Sequence, residues 1–300
     1  MRLPLSPTAV WSVLKELRVT DEDFRPLLLA GVPEHASAFR ARVEEGADPR
    51  AVRDLSGRPP TGYDLEGAPV LVYFVAGATT SDEDEATFRL ATRKGAGVVC
   101  VLVGAPEDEL PSVPYVLDTD VLSVAAGRPL PFESIAERIA DKADETSHLL
   151  AARIPLLRPA VVDGIVKRSS VQNGVLAVAI FVPGADFPVL TLNQIRMVLR
   201  IGAAYGEKLD RERAVEILSV VAAGLGMRTV ARQIVGLVPG LGWAVKGGVA
   251  YTGTRALGAA AVAYFEAGGT KVPRQAMRAI TSAGGHTAPE PATQKRDGDT

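Results

Sequence analysis

Residues 27–38 hold the stretch of this sequence that comes nearest to a phosphate-binding loop. Such a loop needs a strand, then G-x-x-x-x-G-K-S/T, then a helix. Its glycines let backbone N–H groups cradle the phosphates, its lysine reaches the terminal phosphate, and its hydroxyl holds magnesium. After the apolar run Leu27-Leu28-Leu29-Ala30 the chain reads Gly31-Val32-Pro33-Glu34-His35-Ala36-Ser37-Ala38. Gly31 is in place, but Ala36 stands where the second glycine belongs, Ser37 where the lysine belongs and Ala38 where the hydroxyl belongs. Pro33 removes a donor, and Glu34 sets an anion beside any phosphate. Further on, Asp54-Leu55-Ser56-Gly57 imitates the Asp-x-x-Gly that senses magnesium. Losing the lysine and the hydroxyl together removes the electrostatics on which phosphoryl transfer depends.

Other chemistry finds even less to work with. The single cysteine, Cys100, excludes a disulfide framework and a cysteine-rich metal centre, and its place within an apolar run reads as a buried small hydrophobe. His35, His148 and His286 lie too far apart in sequence for a metal-ligand pattern. Asp82 to Glu85 follow Thr79, Thr80 and Ser81 and read as the anionic first turn of a helix. No Ser–His–Asp set, paired-carboxylate site or metal constellation can be assembled, so the expectation is a protein without catalytic residues, metal or cofactor. A formal net charge of −2 argues against nucleic acid as a partner.

The elements that must position these residues divide the chain in two. In the first half, apolar spacing predicts helices over 8–18, 36–45 and 132–150, with strands over 27–30, 70–75 and 98–103 and a further buried strand at 115–117. Alternating strands and helices imply a mostly parallel α/β sheet. From residue 153 onward Ala, Val, Leu and Gly dominate, and the spacing predicts helices over 161–171, 174–182, 190–205, 211–225, 229–238 and 241–265. The expected organisation is an α/β domain over 1–152, an all-α domain over 153–281 and a disordered tail over 282–300.

The helical half carries an internal repeat. Val182-Pro183-Gly184 returns as Val238-Pro239-Gly240, and Gly202-Ala203-Ala204 returns as Gly258-Ala259-Ala260, both 56 residues on. This spacing reads as a duplicated helical hairpin whose small residues let backbones approach. Asn193, Gln194, Arg196 and Arg200 are polar positions within an apolar helix. They read either as the lining of an interaction surface or as a solvated stripe, and the four-residue spacing of the arginines favours the stripe. Arg228 and Arg232 repeat that spacing, and Trp243 suits an interfacial anchor. A membrane span needs about 20 apolar residues. The stretch 174–192 has the length but contains Asp186, Pro183 and Pro188, while Lys246 and Arg255 interrupt the later apolar runs.

Together, Leu190-Thr191-Leu192-Asn193-Gln194-Ile195-Arg196-Met197, Ile201 to Gly206, Arg228 to Arg232, Val238-Pro239-Gly240 and Gly253 to Gly258 resemble the YcjF-like bacterial domain of unknown function. The resemblance covers roughly residues 158–269. It implies a neighbouring Era-like GTPase domain, which agrees with the eroded loop after Ala30. Where such GTPases read guanine with Asn-Lys-x-Asp, this chain has Gly104-Ala105-Pro106-Glu107-Asp108. The resemblance brings no catalytic residues and implies association with the inner membrane. The expected protein is thus a degenerate GTPase-like α/β domain followed by a helical module. It is cytoplasmic or at the inner face of the membrane, and it acts by contact with a protein partner, a copy of itself or the membrane surface. The alternative expectation is an integral membrane protein that uses the hairpins as spans.

Overall fold

The computed structural model describes residues 7–17, 24–106, 112–179, 187–224 and 243–269. Five parallel strands form the sheet: β1 (Leu27–Gly31), β2 (Val52–Asp54), β3 (Val70–Ala76), β4 (Gly97–Val103) and β5 (Val121–Val124), in the order β2-β1-β3-β4-β5. This is a doubly wound order whose switch point lies between β1 and β3. The strands are apolar on both faces because helices cover both. Leu27, Leu29, Val70, Val72, Phe74, Val99 and Val101 point to one face, whereas Leu28, Leu71, Tyr73, Val75, Val98, Cys100 and Leu102 point to the other. Helices α2 (Pro33–Val43) and α4 (Phe132–Ala143) cover the first face, and α3 (Asp82–Arg93) covers the second. Ser81 caps α3 in a reciprocal box with Asp84, as the run of hydroxyls before acids predicts.

The remaining helices are α1 (Pro7–Leu17), α5 (Ser147–Arg153), α6 (Arg158–Ala179), α7 (Phe187–Ala204), α8 (Arg211–Gly224) and α9 (Trp243–Glu266). Helix α6 packs against α4, α5, α7 and α9, and α1 packs on α7. One apolar cluster therefore runs unbroken from the sheet through Ile135, Leu150 and Val162 to Leu199 and Tyr264.

Several expected boundaries move. The strand expected at 115–117 is a turn in which Tyr115 takes φ 66° and is exposed; the outer strand is β5, six residues on. Strand β2 carries no sequence signal, because Val52-Arg53-Asp54 offers one apolar residue against two charges. The helix expected over 132–150 breaks at Asp144, which takes φ 38° and pairs with Arg168, and a turn of 3-10 helix leads into α5. The helices expected over 161–171 and 174–182 are one helix through Asn173 and Gly174, because Asn173 is buried and bonded to Thr254 while Gly174 meets the α9 backbone at Gly247, so neither residue ends the helix. The expected helix over 229–238, both Val-Pro-Gly turns and the expected tail lie outside the described residues.

Candidate functional site

Both candidate loops sit at the carboxyl edge of the sheet, where doubly wound folds bind ligands. Gly31 closes β1 at φ 88°, and a Cβ there would lie 2.0 Å from the Phe74 carbonyl oxygen. The Val32 N–H donates to that same oxygen at 2.9 Å, and α2 begins at Pro33. One residue therefore separates strand from helix, leaving no loop to wrap a phosphate. Ala36, Ser37 and Ala38, expected within the degenerate loop, lie inside α2, with Ala36 buried and the other two exposed. The same device recurs along the edge. Gly77 (φ 89°) donates to the Val103 carbonyl at 2.7 Å, and Gly104 (φ 95°) donates to the Val124 carbonyl at 2.7 Å. Each of these strand-end amides is thus engaged by the next strand over. Asp54 accepts from the Ser56 amide at 2.8 Å and faces Arg40 at 3.7 Å, so its carboxylate serves a local turn and an ion pair.

The acidic start of α3 is likewise occupied. Asp84 accepts from the Tyr73 hydroxyl at 2.7 Å and from the Ser81 amide and hydroxyl at 2.8 Å each. Burial, with Asp84 beside it, raises the Tyr73 phenol above its ordinary value. Burial also pushes the Cys100 thiol up to about 12, which keeps it protonated and unreactive at neutral pH. Among the described residues, no group of three or more His, Cys, Asp or Glu side chains could hold a metal ion.

A polar centre that the sequence did not reveal lies beside β2. Asp64, with its side chain 3% exposed, accepts from Arg53 at 2.8 Å, from Arg58 in bidentate fashion at 2.8 and 2.9 Å, and from the Thr61 amide and hydroxyl at 2.9 and 2.7 Å. The Arg58 guanidinium, helped by Thr61, holds this carboxyl well below the usual carboxylate range. The spacing Thr61-x-x-Asp64 was the only local signal; Arg53 reaches the carboxylate from β2 and Arg58 from the turn that follows it.

In the helical half, Asn193 is buried and turned inward. Its amide donates to the Asn173 side chain at 2.7 Å and to the Ser169 carbonyl at 3.2 Å. Asn173 donates to Thr254 at 2.8 Å, and Gln194 reaches the same hydroxyl at 3.2 Å. The expected surface pair Asn193 and Gln194 therefore ties α6, α7 and α9 together. Arg196 and Arg200 are half-buried, not a fully solvated stripe. Trp243 opens α9, and its side chain lies outside the described residues.

The exposed apolar feature is the outer face of α6. Val171 is 48% and Val175 61% exposed, with Val189 of α7 at 44% nearby. The two α6 valines form a ridge between a groove of about 470 Å³ toward α7 and one of about 560 Å³ toward α9. At the second groove Gly174 and Gly247 let the helices touch through backbone, since a Cβ on Gly247 would meet the Gly174 carbonyl oxygen at 3.1 Å. No described helix is long and apolar enough to cross a membrane. Compared with known protein families, curated proteins and solved structures, the chain matches none.

Proposed function

We propose that this chain is a non-catalytic interaction protein that docks through its helical half, without binding or hydrolysing a nucleotide. The observation that carries this reading is the valine ridge of α6: branched apolar side chains left in solvent between two grooves. Exposed apolar side chains grouped in this way suit contact with a partner protein, a second copy or a membrane face. The strand-end amides support the other half of the reading, because donors already given to Phe74, Val103 and Val124 are not free to cradle phosphates.

Descent from a GTPase-like domain is supported by the placing of Gly31 and Asp54 on adjacent parallel strands at one sheet edge. A duplicated hairpin is supported by the 56-residue sequence repeat, whose second tripeptide falls inside a helix in both copies, Gly202-Ala203-Ala204 in α7 and Gly258-Ala259-Ala260 in α9. The equivalent glycines Gly202 and Gly258 also both sit at close crossings, against Phe265 and Val166.

Two arms test the reading. Fluorescent GTP with magnesium gives no saturable signal up to about 100 µM, and micromolar, magnesium-dependent binding would overturn the proposal. Val171→Glu/Val175→Glu, both at exposed positions, leaves the far-ultraviolet spectrum unchanged. It abolishes self-association in sedimentation velocity and flotation with anionic vesicles, whichever the parent chain displays. A parent chain that displays neither, and gains no partner in cells that the double variant loses, would sink the docking role.

A further inference from the structure

We propose that a second copy of this chain covers the outer face of α9 and the groove beside it, with the two α9 helices antiparallel. The inference rests on the docking reading above and names the occupant. Helix α9 turns Thr254, Gly258 and Ala261 into the bundle, and a second stripe stays outside. In that stripe Gly248, Thr252, Arg255, Ala259, Val262 and Glu266 stand alternately four and three residues apart; Val262 is half-buried and the other five are exposed. This alternation is the seam along which two helices pair. The groove between α6 and α9 borders the stripe. One part of it, about 560 Å³, is lined by Val171, Val175 and Thr252. Another, about 740 Å³, is lined by Arg255, Ala259, Val262 and Glu266 from α9 and by Arg158 and Asp163 from α6.

Charge selects the occupant and its direction. Among the described residues Arg255 forms no ion pair, and Glu266 accepts a long hydrogen bond, 3.5 Å, from the Tyr205 hydroxyl. The two are 11 residues apart, about three turns, so both lie on the stripe. In an antiparallel pair centred between Ala259 and Val262, Ala259 meets Val262 of the second copy. Arg255 then meets Glu266 of the second copy, and the two-fold axis repeats both contacts. A parallel pair in register would set arginine on arginine and glutamate on glutamate, so the stripe disfavours that direction. A lipid surface fits less well, because ions of both signs on an apolar stripe are costly in hydrocarbon. The same register brings Gly269 of the second copy over Thr252, which lines one groove with Val171, so ridge and ion pairs belong to one contact.

Sedimentation velocity on the full chain at about 1–100 µM tests the pairing, and the parent sediments as a dimer at the upper end. Arg255→Glu and Glu266→Arg each raise the dissociation constant about tenfold. Combining them restores the parent value, because the ion pairs form again with their signs exchanged, which separates docking from damage to the fold. High salt weakens parent and combined variant alike. A parent that stays monomeric throughout would overturn the second copy as occupant and leave the ridge to another partner. Dimers weakened by Val171→Glu/Val175→Glu but indifferent to both charge reversals would overturn the antiparallel pairing while the ridge stands. Dimers that follow the charge reversals and ignore the valine changes would keep the pairing and remove the ridge from it. A combined variant no tighter than the single ones would also overturn the pairing.

Discussion

Gly31 and Asp64 are two residues at which single changes should disturb the α/β half. At Gly31 the left-handed φ and the Phe74 carbonyl oxygen, 2.0 Å from where a methyl would sit, act together, so Gly31→Ala is strained and blocked at once. We expect it to cost about 2 kcal/mol or more in urea titration. Gly57→Ala, at φ 98° with open space around it, should cost about 1 kcal/mol. Asp64 presents the opposite situation, a buried carboxylate whose partners all favour its charge. Because folding lowers its pKa, its contribution is fully present above the unfolded value of about 3.9 and is lost as pH falls through and below that value. Asp64→Asn should therefore destabilise by about 1–3 kcal/mol near neutrality. The gap between parent and variant should close in urea titrations below about pH 4, and a gap unchanged at acid pH would refute the assignment.

Among the elements, α6 is the hub, touching α4, α5, α7 and α9. Its crossing with α9 is close because Gly258 faces Val166, where an added methyl would lie 2.6 Å from a valine methyl. Gly258→Ala should overpack this crossing and cost about 1–3 kcal/mol. Val166→Ala opens the space, so the double variant should lose less than the sum of the singles, and a double-mutant cycle on thermal unfolding measures that coupling. The amide network of Asn173, Asn193 and Thr254 complements this packing by fixing how the three helices slide and turn. Helix periods and caps made most of these elements readable in advance. The failures are local: β2 is too short and polar to carry a period, and the Asn173-Gly174 pair resembles a helix end until packing is known.

At the scale of the whole molecule, the change of composition at residue 153 is not a break in packing. Helix α1 precedes the sheet in sequence yet packs on α7, and α4 joins the sheet to α6. With one apolar cluster shared in this way, we expect a single cooperative urea transition, with coincident midpoints by circular dichroism and by hydrogen exchange in β3 and α6. Two separated midpoints would show that the halves unfold independently.

Sequence by itself determined the alternation of strands with helices, the apolar helical half, and the missing lysine and hydroxyl after Ala30, because each of these is a matter of residue type at short range. Only the tertiary structure decided that the amide of Val32 belongs to Phe74, that Arg53 and Arg58 meet at Asp64, and that Asn193 faces inward while Val171 and Val175 face out. Those are contacts between separate elements, set by which surfaces the closed core leaves over. No periodicity along a single helix or strand encodes them.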